Sequence, residues 1–443
     1  MNRRIRPGAE LAMLHAHEQH ETHAAAKKIF SRLLSERGGG GAPSVSVWED
    51  YAELADIYYK KGERHQAINI LREFQTWFLD TDDVFLANKI LNKLEFLNGK
   101  DYVESKPLKL EISLTDRCNL QCLMCLQRTR GCREISEETY REIIGMMPYL
   151  EVINWIGGEP FVSPRLAPLF DEASRYPRLR QNIITNALLI DESWAEKLAA
   201  SRTFLLLSID GFKKETYEYV RKGARFADLL ASLEYIKKAF AAHQVPGLPE
   251  RLAINFVLMR HNMQDLEYIV DFAYRFKISS IRVSTLFPFQ PDEIYREQNI
   301  ESDPKLVRWF LDVAQPRLLC EAALKNVRVG QLPIFSRQAA EQATPGKPET
   351  ASGAQLGNTF LTCPYPWGSL SSDAEGFARP LCQCGPGICA GNVYKQPIAD
   401  IWNSPGLRRY RQLADTNDVS RLACAKCDMF KYRFQMKLFD PLW

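Results

Sequence analysis

No uninterrupted apolar stretch in the 443 residues is long enough to cross a bilayer. The opening MNRRIRPGAELAMLHAHEQH is basic without the apolar run of a signal peptide. The expectation is a soluble, cytoplasmic protein with no membrane partner. Net charge is also nearly absent, since 57 basic and 54 acidic residues leave +3, and so charge indicates neither a nucleic-acid partner nor an acidic tail. Histidines number 7 and are scattered. No Ser/His/Asp set and no phosphate-cradling loop stands out. What the chain has in quantity is apolar content, 46%, enough to bury the cores of two or three domains. It also has 11 cysteines, an odd number, of which seven crowd into Cx2C, Cx3C or CxC groupings. In a reducing compartment that pattern points to metal binding and away from a disulfide framework.

Three parts follow one another. Residues 1–100 read as helical: from Ala24 to Leu97 apolar residues recur at helical spacing, broken by a flexible stretch at Gly38 to Pro43. Tyr51, Leu54, Ala55, Tyr58, Gly62, Ala67 and Leu71 occupy successive positions of the tetratricopeptide pattern. This part resembles one such repeat flanked by degenerate helices, with a generic helical hairpin as the alternative, because solenoids need several repeats. Residues 105–328 change to short strands alternating with amphipathic helices. The expected strands are Leu110 to Leu114, Val152 to Ile156, Gln181 to Thr185, Phe204 to Ile209, Leu252 to Leu258 and Ile281 to Thr285. Helices are expected at Ser136 to Met147 and Met263 to Phe276, among others. Six βα units predict an α/β fold, a parallel sheet curled into a full or partial barrel with its working face at the strand C-termini. Residues 329–357 are polar and proline-containing and read as a linker. Residues 358–443 read as a cysteine-rich part with many turns and few strong helices.

Directly after the first strand, Thr115 to Cys125 reads TDRCNLQCLMC, a Cx3Cx2C array of Cys118, Cys122 and Cys125. Three thiolates on one tight loop can hold three irons of a 4Fe-4S cluster and leave the fourth iron open to a substrate. Zinc is the competing reading, but its sites pair knuckles into four ligands, and only Cys132 lies near enough to serve as a fourth. At these residues the chain resembles the radical S-adenosylmethionine superfamily, over about Lys109 to Leu324. The resemblance implies a partial (βα)6 barrel and S-adenosyl-L-methionine bound at the open iron. It further implies reductive cleavage to a 5′-deoxyadenosyl radical that abstracts hydrogen from an unactivated C–H bond, and an electron donor such as flavodoxin or ferredoxin.

Further segments match at strand ends. Gly157-Gly158-Glu159-Pro160 corresponds to the family's GGEP loop at the cofactor's amino group. Ser208, opening Ser-Ile-Asp-Gly, corresponds to a ribose contact, and Arg221 to the arginine that pairs with the methionyl carboxylate. Asn186 falls where the family has a cofactor-proximal asparagine. Met124 stands where an aromatic residue is frequent; a methionine can pack against adenine. Order and spacing behind Cx3Cx2C make the set specific.

The C-terminal part carries Cys363-Pro-Tyr-Pro-Trp, Cys382 and Cys384, Cys389 followed by Gly391-Asn392, then Ile401-Trp-Asn-Ser404 and a Cys424/Cys427 pair. Over about Thr362 to Phe430 it resembles the SPASM extension. That resemblance implies an auxiliary 4Fe-4S cluster on Cys363, Cys382, Cys424 and Cys427, with Cys384 and Cys389 surplus. A partly open second cluster or a zinc site on the same cysteines are the alternatives.

Cys132 and Cys320 belong to neither set. A thiol near the site can donate hydrogen to a substrate radical, and Cys132 is placed for it by proximity; the alternative for both is an inert buried cysteine. Arg128, Arg130 and Arg133 on the loop leaving the first cluster could receive an anionic substrate group or simply form a solvated face. SPASM enzymes as a family act on peptides and proteins or on sugars and aminocyclitols. The tetratricopeptide-like helices favour a peptide or protein partner. Epimerisation or oxidation of a sugar, sugar nucleotide or other small molecule is the rival reading. A non-catalytic iron–sulfur electron carrier is the reading from another class, and it has no use for GGEP, Ser208 or Arg221.

Overall fold

The computed structural model describes residues 45–77, 83–125, 131–246, 248, 250–286, 293–333, 335, 362–381, 384 and 389–416. It opens on a hairpin of α1 (Val45–Lys60) and α2 (Arg64–Trp77), followed by α3 (Val84–Leu97). Tyr51, Leu54, Ala55, Ala67, Leu71 and Phe74 form its buried seam, the small residues letting the two helices approach. A helical hairpin is therefore present, while the tetratricopeptide reading stays a resemblance. Residues 24–44 lie outside the described part.

Six parallel strands follow: β1 (Lys109–Ser113), β2 (Val152–Ile156), β3 (Arg180–Thr185), β4 (Thr203–Ser208), β5 (Leu252–Leu258) and β6 (Ser280–Thr285). Between them run α4 (Glu137–Met146), α5 (Leu166–Ala173), α6 (Glu192–Ala200), α7 (Lys214–Val220), α8 (Phe226–Ala242) and α9 (Ile269–Arg275). Every strand starts within one residue of its expected position, since runs of β-branched and leucine residues bounded by turns leave little freedom. The expected helix at 136–147 is α4, with Ser136 as its N-cap accepting from the Thr139 amide at 2.9 Å. The expected helix at 263–276 begins as a 3-10 turn over Met263–Tyr268 and becomes α9.

The sheet has two different faces. Leu110, Ile112, Ile153, Trp155, Ile183, Leu205, Leu207, Ile254, Phe256, Ile281 and Val283 are fully buried in the main core. The residues alternating with them point to the other face and are largely polar: Glu111, Asn154 and Asn182 stand side by side in register. A hydrogen-bonded row crosses that face from Ser371 Oγ to Glu111 at 2.5 Å, from Asn154 to Glu111 at 2.7 Å and from Asn182 to Asn154 at 2.8 Å. A polar inner face is what a barrel that receives a polar ligand requires, because each buried polar atom needs a partner.

The sheet does not stop at six strands. β7 (Arg328–Gln331) adds in parallel to β6, and β8 (Ser369–Ser372) adds in parallel to β1, continued by the antiparallel β9 (Phe377–Arg379) and β10 (Gly391–Asn392). The expected linker from 329 thus opens inside a strand. The C-terminal part holds more helix than expected, with α14 (Ile398–Trp402) and the eleven-residue α15 (Pro405–Asp415) following the short α13 (Tyr365–Gly368), the remaining helices being α10 (Glu293–Gln298), α11 (Pro304–Trp309) and α12 (Gln315–Leu324). The C-terminal part is locked to the segment that follows α3 through Arg411. This fully buried side chain donates to the carbonyls of Pro366 (2.9 Å), Asp101 (2.8 Å) and Trp402 (2.8 Å). The Trp367 and Trp402 indoles donate to the Lys100 and Ser105 carbonyls, each at 2.7 Å. Among the described residues no helix is long and apolar enough to cross a membrane.

Candidate active site

The loop bearing Cys118, Cys122 and Cys125 leaves the C-terminal end of β1 and is fixed by backbone bonds to two other strand-end loops. Gln121 and Leu123 donate to the Lys222 and Val220 carbonyls, both at 2.8 Å; Gly158 and Glu159 donate to the Thr115 and Arg117 carbonyls at 2.8 and 2.9 Å. The double glycine of GGEP has its physical reason here. A Cβ on Gly158 would sit 2.1 Å from the Arg117 carbonyl oxygen, and one on Gly157, whose φ is +141°, 2.4 Å from that of Thr115. The three thiols are partly exposed at this end of the sheet.

Glu159 is 1% exposed. Its carboxylate accepts from Thr185 Oγ1 (2.7 Å) and from the Asn186 amide (2.8 Å), and the Asn186 side chain in turn donates to Asn119 Oδ1 at 2.8 Å, inside the cysteine loop. The glutamate therefore sets Asn186, and Asn186 braces the loop. Burial pushes the Glu159 carboxyl up to about 7, against the pull of the Asn186 and Thr185 donors. Between the ordinary carboxyl value of 4.5 and about 7 the folded protein keeps a proton that the unfolded chain has released. Stability from this group is thus full at low pH and is lost as pH rises through that window. In anaerobic denaturant titrations Glu159→Gln will lack this loss, so its stability relative to wild type will improve by on the order of 3 kcal/mol between pH 4.5 and pH 7.5. A pH-independent difference would place the proton elsewhere.

Arg221, at the C-terminal end of α7, is buried and paired with the fully buried Asp210 of the Ser-Ile-Asp-Gly turn. Its Nη1 lies 3.7 Å from Cys122 Sγ, while its Nε has no partner among the described residues. Burial pulls the guanidinium down, but the Asp210 carboxylate and the Cys122 thiol outweigh it, and Arg221 is held above its ordinary value. Asp265 fixes the start of α7 by accepting from the Phe212 amide at 2.7 Å and from Thr216 Oγ1 at 3.2 Å. Ser208 ends β4, half exposed on the inner face. Met124 packs against Val220, Met259 and Leu286.

Other expected residues fall differently. Cys132 and Cys320 are both exposed, so neither is the inert buried cysteine of the alternative reading. Arg133 is not free for an anionic ligand, being bonded to the buried Asp116 at 2.6 Å and lying over the Tyr394 ring; Arg128 and Arg130 lie outside the described residues. Of the C-terminal cysteines, Cys363 and Cys384 pack on the small Leu108, Tyr365 and Leu381 core, and Cys389 is exposed. The amide just before Cys363 donates to Tyr59 Oη of α1 at 3.0 Å. Cys382, Cys424 and Cys427 lie outside the described residues.

The side chains fit the cofactors that the motifs imply. Cys118, Cys122 and Cys125 present three partly exposed thiols on one loop, and a four-iron cluster engages each thiolate at a different iron. Beside the thiols wait a buried guanidinium with an unpartnered Nε and two braced strand-end loops.

Residues 112–273 match the model of the radical SAM superfamily, and residues 363–428 match the SPASM iron-sulfur cluster-binding domain. The chain belongs to the radical SAM superfamily and is an enzyme of its SPASM subfamily, with iron–sulfur clusters and S-adenosylmethionine as cofactors. It is 33% identical to the PqqA peptide cyclase of Granulibacter bethesdensis over 357 residues, 76% of this chain and 86% of that protein. It is 30% identical to the mycofactocin maturase MftC of Mycobacterium ulcerans over 199 residues, 44% of this chain and only half of that protein. Its fold resembles Streptococcus suis SuiB bound to S-adenosylmethionine, with a TM-score of 0.53 at 16% identity, covering 86% of this chain and 87% of that one.

Proposed function

We infer that this enzyme modifies a peptide, starting from hydrogen abstraction at an unactivated carbon. The observation that carries the reading is the likeness to the peptide cyclase, which runs through 76% of this chain and 86% of that protein. When bound and reduced, the cluster and S-adenosylmethionine supply the radical that removes the hydrogen atom. The chain's own residues prepare the place. Cys118, Cys122 and Cys125 hold the first cluster, and Cys363, Cys382, Cys424 and Cys427 the auxiliary one. Arg221, already charged and oriented by Asp210, offers its free Nε edge to the methionyl carboxylate. Glu159 acts through Asn186, and Ser208 faces the ribose. Met124 gives a soft wall for the adenine. Cys132 is a candidate hydrogen donor, with an exposed thiol whose neighbour Arg133 is tied to the start of the cysteine loop. The electron is supplied by a flavodoxin- or ferredoxin-type donor.

The test is anaerobic turnover of the reduced protein with S-adenosylmethionine and a library of synthetic peptides, run beside a panel of sugar nucleotides. The expected result is 5′-deoxyadenosine formation accelerated by a peptide, together with a change in that peptide's mass. Acceleration by a sugar nucleotide and not by any peptide would assign the enzyme to small-molecule chemistry.

A further inference from the structure

Residues 113–117, which end β1 and run directly into Cys118, are the common root of two parts of the site. The carbonyls of Thr115 and Arg117 accept from the Gly158 and Glu159 amides at 2.8 and 2.9 Å, and Ser113 Oγ lies 3.2 Å from where a Cβ on Gly157 would stand. A displacement of this root therefore moves a cluster ligand and the GGEP loop together.

The C-terminal part reaches the root through β8, whose Ser372 Oγ accepts from the Ser113 amide at 2.9 Å, and through Tyr394. Tyr394 lies between β10 and α14. Its hydroxyl shares a hydrogen bond with Ser113 Oγ at 2.8 Å and donates to the Ala374 carbonyl at 3.3 Å. Its ring lies under the Arg133 guanidinium, 5.5 Å from the centroid. Arg133 donates from its amide (2.8 Å) and its Nε (2.6 Å) to the fully buried Asp116, and its carbonyl accepts from Thr115 Oγ1 at 2.8 Å. A buried carboxylate depends on the cation beside it, and an aromatic face helps to hold a guanidinium in place. Tyr394 thus acts on the root twice, by its hydroxyl at Ser113 and by its ring, through Arg133, at Thr115 and Asp116.

The segment that carries Tyr394 is itself fixed. The Tyr394 amide donates to Asn392 Oδ1 and Asn392 Nδ2 to the Glu375 carbonyl, each at 3.0 Å. The Val393 carbonyl accepts from Thr139 Oγ1 of α4 at 3.1 Å, and Glu142 of the same helix accepts from the Ile398 amide at 2.5 Å. Tyr394 is therefore a bracket between a clamped segment and the root of the cysteine loop.

We propose that Tyr394 is a positioning residue for the first cluster and its S-adenosylmethionine, acting through Ser113 and Arg133 to hold residues 113–117 in the cofactor-binding form. The proposal rests on the assignment of that cluster to Cys118, Cys122 and Cys125. Without the bracket, binding the cofactor must also order the root, so affinity falls by at most the worth of the contacts removed. The test uses full-length protein with its clusters reconstituted anaerobically. Binding of S-adenosylmethionine to the unreduced protein is followed by calorimetry, and the reduced, cofactor-bound cluster by electron paramagnetic resonance. Tyr394→Phe keeps the ring and loses the hydroxyl, and will bind the cofactor roughly 2- to 10-fold more weakly, the range of one neutral hydrogen bond. Tyr394→Leu loses the ring as well and will bind roughly 5- to 50-fold more weakly. In both, iron content will match wild type while the resonance of the first cluster shifts, which a tyrosine that only stabilises the C-terminal part would not cause. Ser113→Ala removes the same hydrogen bond from the other side, so adding Tyr394→Phe to it will cost no further affinity. Wild-type affinity in Tyr394→Leu with full iron, or additive losses in the Ser113→Ala/Tyr394→Phe chain, overturns the proposal; if Tyr394→Leu does not fold, that double-variant comparison decides alone. Full iron retention by the chain lacking Cys118, Cys122 and Cys125 would overturn the cluster assignment and the proposal with it, whereas wild-type affinity in the Tyr394 variants overturns the proposal alone.

Discussion

Replacing Cys118, Cys122 and Cys125 together by Ala will remove about four irons per chain and all cleavage of S-adenosylmethionine, while a second cluster spectrum persists. The reason lies in how the loop is held. Its shape comes from main-chain bonds to the Val220, Lys222, Gly158 and Glu159 segments and from Asn119 gripping Asn186. None of these uses a thiol. Removing three sulfur atoms therefore strips the ligands and leaves the loop and the barrel in place, and Arg221 keeps Asp210 as its partner. Iron analysis, electron paramagnetic resonance and 5′-deoxyadenosine assay on anaerobically reconstituted protein read the three parts separately. Unchanged iron content would mean that these cysteines do not hold a cluster. Loss of both clusters from a folded variant would mean that the two sites are not independent.

The parts of this molecule that were legible in its sequence are those that local chemistry decides. β2 and β5 run as expected from Val152 to Ile156 and from Leu252 to Leu258, because short apolar runs between turns admit one register. The Cx3Cx2C spacing and the glycine pair after β2 carry their chemistry in consecutive residues. Relations set by tertiary packing were not legible. Asp210 is visible inside Ser-Ile-Asp-Gly, yet its pairing with Arg221 depends on where α7 ends. Glu159 reads as a loop residue, and only the approach of the Thr185–Asn186 turn makes it a buried carboxyl. The row Glu111, Asn154 and Asn182 takes one residue from each of three strands, so no single segment announces a polar inner face.

The C-terminal helix was missed for a simpler reason. Ser404-Pro405 is an N-cap followed by proline at the first helical position, but the segment it starts, PGLRRYRQLAD, is so polar that its buried stripe of Leu407, Tyr410, Arg411, Leu413 and Ala414 does not stand out. The stripe includes an arginine because Arg411 finds three carbonyl acceptors inside. A buried guanidinium saturated in this way holds three segments together, and separately the pairing of β8 with β1 makes the C-terminal part an extension of the barrel's own sheet.

That continuity decides what losing the auxiliary ligands should do. Replacing Cys424 and Cys427 together by Ala will leave cofactor cleavage measurable but uncoupled, and will abolish modified product. In the proposed assignment cleavage uses the first cluster and the Arg221, Asn186 and Ser208 surroundings, which lie on strands β1 to β4 and the segments that follow them. Of the proposed auxiliary ligands Cys363 is described, and it lies just before α13 and β8, the strand that pairs with β1 on the edge opposite β2. Cys363 is anchored independently of Cys424 and Cys427, with its preceding amide on Tyr59 and its side chain in the Tyr365 and Leu381 core, and α15 is tied down by Arg411. The region therefore has support besides its metal, although small cysteine-rich segments couple folding to metal binding. A melting transition close to that of wild type is required before activity is read. In a folded variant, full product formation would make the auxiliary cluster dispensable for chemistry. One zinc per chain, with no iron beyond the first cluster in anaerobically purified wild-type protein, would make the C-terminal part a zinc module, and the substrate would then meet only one redox centre, the cluster at the mouth of the barrel.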